Sequence, residues 1–181
     1  MVKIILISGY KRSGKDYITN EIKEAYGIES LTFATPLKQI MATTLGISVD
    51  KLEALKNDPS QKWENSGVSF SARELLQRFG TDAMKKEFGD DIWTRMLYYN
   101  LPSSGVVVVS DWRFKVEYEY LSTRCKVLTV RVTDRNIINT DQHPSEIELD
   151  DFDFDVHIDN TVKNKPHTKK LREIMQKVNG L

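Results

Sequence analysis

Eight residues near the start of the chain, Gly9-Tyr10-Lys11-Arg12-Ser13-Gly14-Lys15-Asp16, carry the spacing G-x-x-x-x-G-K of a loop that wraps a phosphate chain. Glycines at its two ends let the backbone turn tightly without a side-chain clash. Amides at the start of the following helix then point at the anion, helped by the helix dipole. Lys15 adds a mobile positive charge for the β- and γ-phosphates of a nucleoside triphosphate. The apolar run Val2 to Ile7 stands directly before the loop, so the order is strand, glycine loop, helix. This chemistry needs that order. A glycine turn that happened to carry lysines would not.

Asp16 stands where the usual loop has Ser or Thr, and a carboxylate is a hard oxygen ligand suited to Mg²⁺, directly or through water. An acid in the first turn of a helix also answers the dipole, and both roles fit the position. Lys11 and Arg12 exceed the charge one triphosphate needs, so at least one is expected to face a second anion, the phosphoryl acceptor. Ser110-Asp111-Trp112-Arg113 follows the apolar run Val106–Val109. Ligands of open parallel sheets lie beyond the carboxyl ends of strands, which places Asp111 and Arg113 at the expected site. Asp111 suits Mg²⁺ or an acceptor hydroxyl, and Arg113 suits bidentate capture of a phosphate. A second polar cluster holds Arg73, Gln77, Arg78, Gly80, Thr81 and Asp82, with Arg73 and Gln77 on one helix face. Taken alone it reads as a solvated face as readily as an acceptor pocket. Trp93 could stack on a base or anchor the core. Arg131 and Arg135 lie at and beyond a strand end, where they could clamp a triphosphate. His143, in the polar stretch Asp134–Pro144, reads first as a solvated loop residue.

These groups need a scaffold, and the chain predicts one. The strands expected are Val2–Ser8, Leu31–Phe33, Val106–Val109, Val127–Val132 and Asp155–Ile158. The apolar run Val106–Val109 is expected at the centre, buried on both faces. Helices are expected over Gly14–Tyr26, from Pro36 to Gly46, over a turn or two at Asp50–Leu55, from the Ser71/Glu74 capping box to Gly80, over Thr81–Phe88, Ile92–Tyr99, Val116–Leu121 and Thr168–Val178. Alternating strands and helices predict an α/β fold of three layers, a mainly parallel sheet with helices on both faces. At 181 residues the expectation is one domain over 1–181, with a polar insertion at about 47–70 and a lid-like loop at about 134–147. The acidic run Asp150 to Asp155, interleaved with Phe152 and Phe154, reads as a turn rather than a metal cage.

Composition narrows the partners. A formal net charge of zero argues against a general nucleic-acid binder. No apolar segment has the length of a membrane span, and the chain starts on a core strand, so a cytoplasmic protein is expected. Cys125, the single cysteine, is expected to be buried and unreactive. Nothing in the sequence decides between a monomer and a homodimer.

Four islands, S-G-Y-K-R-S-G-K-D, Q-R-F-G-T-D, S-D-W-R-F-K-V-E and H-P-S-E, resemble the bacteriophage-type deoxynucleoside monophosphate kinases, in order from Ile4 to about Asn160. Asp after the loop lysine is shared with that family and with animal-type phosphomevalonate kinases. The resemblance implies a P-loop kinase converting ATP and a deoxynucleoside monophosphate to ADP and the diphosphate with Mg²⁺, in host cytoplasm if the protein is viral. It assigns Gly14, Lys15, Asp16 and Tyr17 to ATP and metal, and Arg12 to a bridge between donor and acceptor phosphates. It assigns Leu37, Lys38, Arg73, Gln77, Gly80, Thr81, Trp93, Asp111, Arg113 and Glu117 to the acceptor, and sets Asn160 near the adenine. Tyr17 departs from the family's usual Thr, and the segment between the Pro36-Leu37-Lys38 helix and Arg73 is short for the family. Two other readings share the donor half: a kinase of another phosphorylated metabolite, phosphomevalonate above all, and a nucleotide-binding regulatory or assembly protein.

Overall fold

In the computed structural model, which describes residues 1–58, 60, 62–65, 68–139, 144–162 and 165–181, the first apolar run forms β1 (Lys3–Ser8). The glycine loop leads from it into α1 (Lys15–Tyr26), which Gly27 closes in the left-handed region at φ 65°. There follow β2 (Glu29–Leu31), α2 (Ala34–Leu45), α3 (Val49–Asn57), β3 (Lys62–Asn65), β4 (Val68–Ser71) and α4 (Ala72–Gln77). A π-helix (Arg78–Lys85), α5 (Lys86–Phe88) and α6 (Ile92–Tyr99) lead to β5 (Val106–Val109) and α7 (Lys115–Ser122). The chain ends with β6 (Lys126–Thr133), α8 (Pro144–Ile147), β7 (Val156–Asp159) and α9 (Thr168–Gly180). These residues gather into two units, Met1–Thr32 with Leu97–Leu181, and Phe33–Met96.

The first unit holds a five-stranded sheet in the order β2-β5-β1-β6-β7, every pairing parallel. The expected α/β sheet is therefore present, with β1 at its centre and β5 beside it. Strands buried on both faces read as continuous apolar runs, and Ile4 to Ile7 and Val107 to Val109 are all buried. On one face Ile5, Ile7, Val108, Leu128 and Val130 pack with Ile18 and Ile22 of α1 and Leu171, Ile174 and Val178 of α9. Among the described residues no helix is long and apolar enough to cross a membrane.

The second unit packs α2, α3 and α4 around Met41, Ala42, Leu52, Ala72 and Leu76. Its polar stretch is more ordered than its composition suggests. Ser48 caps α3 by accepting from the Lys51 amide, and β3 and β4 form an antiparallel hairpin.

Three expectations on elements are corrected. The second strand lies at Glu29–Leu31 rather than Leu31–Phe33, because Phe33 turns into α2 and is buried. Helix α4 does not stop at Gly80. The chain continues into the π-helix, and Gly80 packs so closely that an added Cβ would lie 2.8 Å from Leu37 Cδ2. That glycine serves close approach rather than a left-handed cap. Residues 144–147, expected in a loop, form α8, while His143 lies outside the described residues.

Candidate active site

The loop between β1 and α1 is shaped by two glycines that admit no side chain. A Cβ on Gly9 would sit 2.3 Å from the Val132 carbonyl oxygen, and one on Gly14 would sit 1.9 Å from Asn160 Nδ2. Gly14 is also in the left-handed region at φ 95°, as is Arg12 at φ 68°. Asn160, at the end of β7 and buried, donates from Nδ2 to the Ser13 carbonyl at 2.8 Å. The loop is thus pinned from the sheet. Ser13 Oγ and Asn160 Oδ1 are buried without a hydrogen-bond partner among the described residues.

Lys15 folds back over the loop, its Nζ donating to the carbonyls of Gly9 at 2.7 Å and Tyr10 at 3.0 Å. Burial and the neighbouring Arg113 guanidinium lower its pKa to about 8, against the opposing fields of Glu146 and Asp16. Lys11, Arg12 and Asp16 are exposed around the same turn. Tyr17 is partly exposed, edge-on to His167, whose Nδ1 lies 2.9 Å from Glu21 Oε2.

The segment after β5 stands beside this loop because β5 and β1 are paired in register, Leu6 opposite Val109. Asp111 is half-buried there. Arg113 donates from Nη1 to the Ser145 carbonyl at 3.2 Å and to Glu146 Oε1. Glu117 is buried, and its Oε2 accepts the backbone amides of Arg113 at 2.9 Å and Phe114 at 3.1 Å. It therefore shapes the turn that carries Arg113 and caps α7. Arg131 is buried: Nη1 donates to Ser8 Oγ, Nη2 pairs with Asp150 at 2.6 Å, and its guanidinium lies over the Tyr10 ring. Arg135, largely exposed, pairs with Asp159.

The remaining candidates belong to the second unit. Lys38 on α2 forms an ion pair with Glu53 on α3 at 2.7 Å. Arg73, Gln77 and Thr81 are exposed along α4 and the π-helix. Trp93 is buried, and its Nε1 donates to the Gly80 carbonyl at 3.0 Å, so the indole is an anchor within this unit. Leu37 packs on Gly80. A π-helix is rare and recurs at functional sites, which fits this concentration of candidates.

Other residues gain a place that residue type alone did not give. Glu146 is the main one: it lay in the H-P-S-E island without an assigned task. Glu148 accepts the Lys115 amide at 2.8 Å, and Asp155 accepts the Thr129 amide and hydroxyl. The aspartates of the acidic turn, Asp150, Asp151, Asp153 and Asp155, are exposed, as expected of a solvated turn, while Phe152 and Phe154 lie edge-on to Trp112. Cys125 is buried and free, and burial raises its thiol pKa.

The site's residues suit a triphosphate and its metal. Gly9 and Gly14 let the loop close tightly on Val132 and Asn160, and Lys15 lies over it. Ser13 Oγ is a buried hydroxyl without a hydrogen-bond partner among the described residues, and Asp16 and Asp111 are hard oxygen donors beyond two adjacent parallel strands. A family profile described as phosphomevalonate kinase matches residues 7–127, from the end of β1 into β6. A Drosophila melanogaster protein described as a phosphomevalonate kinase is 27% identical over 181 residues, 88% of this chain and 89% of that protein. A solved structure of a putative kinase from Chloroflexus aurantiacus has a TM-score of 0.55 at 14% identity, covering 98% of this chain and 96% of that one. At that identity the likeness shows the fold.

Proposed function

The chain belongs to the phosphomevalonate kinase family, and from that premise we propose that it transfers the γ-phosphoryl group of ATP to the phosphate of a small phosphorylated acceptor, phosphomevalonate first. The products are ADP and the corresponding diphosphate. The observation that carries the reading is the span of the match, residues 7–127, which contains both the phosphate loop and Arg113. A reading in which nucleotide binding serves only regulation or assembly has no use for that second half.

Lys15 and the amides of Gly9 to Asp16, with Lys11, Ser13 and Tyr17, hold the donor phosphates, while Arg131 and Asn160 set the loop that surrounds them. Mg²⁺, held by Asp16 and Asp111, would supply charge neutralisation on the phosphate oxygens. Phosphoryl transfer is largely positioning and charge stabilisation. Arg12 bridges donor and acceptor, and Arg113 holds the acceptor's phosphate in line. That phosphate oxygen is already anionic, so no general base is required. Leu37, Lys38, Arg73, Gln77, Gly80, Thr81 and Trp93 shape acceptor binding in the second unit, and Glu117 sets the turn of Arg113. The two units are proposed to work as one kinase domain in the cytoplasm, on small molecules rather than nucleic acid.

A deoxynucleoside monophosphate as acceptor is the second reading, favoured by the Q-R-F-G-T-D and H-P-S-E islands. A coupled ADP-release assay with ATP, Mg²⁺ and phosphomevalonate, then each common dNMP and NMP, separates the two. Turnover with phosphomevalonate is expected, and Lys15→Ala lowers it at least about a hundredfold, as loss of a main charge stabiliser does. Turnover with a dNMP alone transfers the assignment to the second reading. Silence with every acceptor overturns both.

A further inference from the structure

Glu146 has a position that its place in a four-residue helix does not explain. Its two carboxylate oxygens reach different parts of the site: Oε1 takes Arg113 Nη1, and Oε2 accepts the backbone amide of Lys11, inside the phosphate loop, at 3.1 Å. Its side chain is 9% exposed. Carboxylates seldom lie so deep unless paired and hydrogen-bonded. Here the pairing joins two elements that a kinase must keep in fixed relation.

The surroundings hold the carboxylate itself in place. Leu149, three residues on, is buried. Glu148 accepts the Lys115 amide, Lys115 Nζ pairs with Asp151 at 2.9 Å, and Asp150 pairs with Arg131. From Ser145 to Asp151 the chain is thus fastened to the segment after β5 and to β6, and Glu146 projects from a braced frame. Arg113 is gripped at one corner: Nη1 donates to both Ser145 O and Glu146 Oε1, and no hydrogen bond from Nε or Nη2 is made among the described residues. That edge of the guanidinium is the one able to meet a phosphate as a two-pronged donor.

We propose that Glu146 is a positioning residue that ties the phosphate loop at Lys11 to Arg113, fixing the separation of the donor loop and the acceptor-phosphate arginine and turning the free edge of Arg113 to the acceptor. The proposal rests on the phosphoryl-transfer reading above and deepens it. It carries a signature that a packing residue lacks. Glu146 brings negative charge to the mouth of an anion site, so its removal relieves repulsion of the triphosphate while it loosens Arg113. Nucleotide affinity and turnover therefore move apart.

The test uses Glu146→Gln and Glu146→Ala in the full chain, with Arg113→Lys alone and combined with Glu146→Gln. In both single variants kcat is expected to fall at least about tenfold, given the roughly hundredfold cost of a 1 Å misplacement. The Kd for ATP stays unchanged or tightens. The double variant is expected to be about as slow as Arg113→Lys, since the two residues act as one unit. Unchanged kcat in both single variants, or joint loss of kcat and ATP affinity with full additivity, overturns the proposal. Should the wild type turn over no acceptor, the reaction assignment fails, and Glu146 is then read from the NMR of the Arg113 guanidinium. Restricted rotation in the wild type that becomes free in Glu146→Ala supports the tie, and identical spectra overturn it.

Discussion

Lys15 shows what the proposed phosphate site would demand of one side chain. Its ammonium is drawn into a partly buried loop, beside Arg113, and its pKa falls to about 8. Desolvation disfavours the charged form of a lysine, and a like charge acts in the same direction. Since the charged form is the one proposed to meet the triphosphate, kcat/KM for ATP is expected to fall as pH rises through about 8, reporting the free enzyme. A profile flat from pH 7 to 10 would remove that role. For stability the sign is reversed. The folded pKa lies below the unfolded one, so the unfolded chain binds more protons between about pH 8 and 10.5, and this group's contribution to stability rises with pH across that window. Loop identity was legible because each residue's chemistry is local: two glycines, a lysine and an acid at set spacing. Glu146 was not, because a glutamate in a polar stretch has no local mark of the arginine and amide it will meet. Its partners Lys11 and Arg113 lie 135 and 33 residues away.

At the scale of elements, the caps were readable and the irregular pieces were not. Ser71 and Glu74 form a reciprocal capping box at the start of α4, with Ser71 Oγ accepting the Glu74 amide and Glu74 Oε2 accepting the Ser71 amide. Ser71→Ala is expected to lower stability by about 1 kcal/mol, measured as a shift of the urea midpoint at constant slope. No shift would mean that packing of Ala72 and Leu76 alone holds the helix end. Gly80 misled because glycine after a helical run is usually a cap. Here the requirement is set by Leu37, over forty residues earlier, and the chain passes through the position as a π-helix. The β3–β4 hairpin was hidden for a similar reason. Each strand is four residues long, too short for a period-two pattern to stand out from a polar stretch.

At the scale of the molecule, the parallel sheet explains why distant motifs converge. The loop after β1, the Asp111–Arg113 segment after β5, Arg131 at the end of β6 and Asn160 after β7 all lie at the carboxyl end of one sheet. A ligand bound there couples to the folding of the whole first unit. ATP at a hundred times its Kd is expected to stabilise the protein by about 2.7 kcal/mol, read as a rise in thermal midpoint. Lys15→Ala should lose most of that rise at the same ATP concentration. A full rise in the variant would place the nucleotide elsewhere.

The sequence by itself determined the glycine–lysine loop after β1 and the alternation that builds a parallel sheet, and marked the arginines proposed to meet a second anion, because those signals are short-range periodicity and spacing. Its resemblance put a nucleoside monophosphate first as acceptor, while the family match and the Drosophila relative favour phosphomevalonate. The donor half is common to both readings, so residues in the loop cannot separate them. Tertiary structure alone decided that Asn160 pins Ser13, that Arg131 is buried against Ser8 and Asp150, and that Glu146 joins Lys11 to Arg113. Of these contacts Arg131 to Ser8 joins paired strands, while the others link loops, a turn and a short helix at the carboxyl end of the sheet, and the order of the strands, not local composition, brings such residues together.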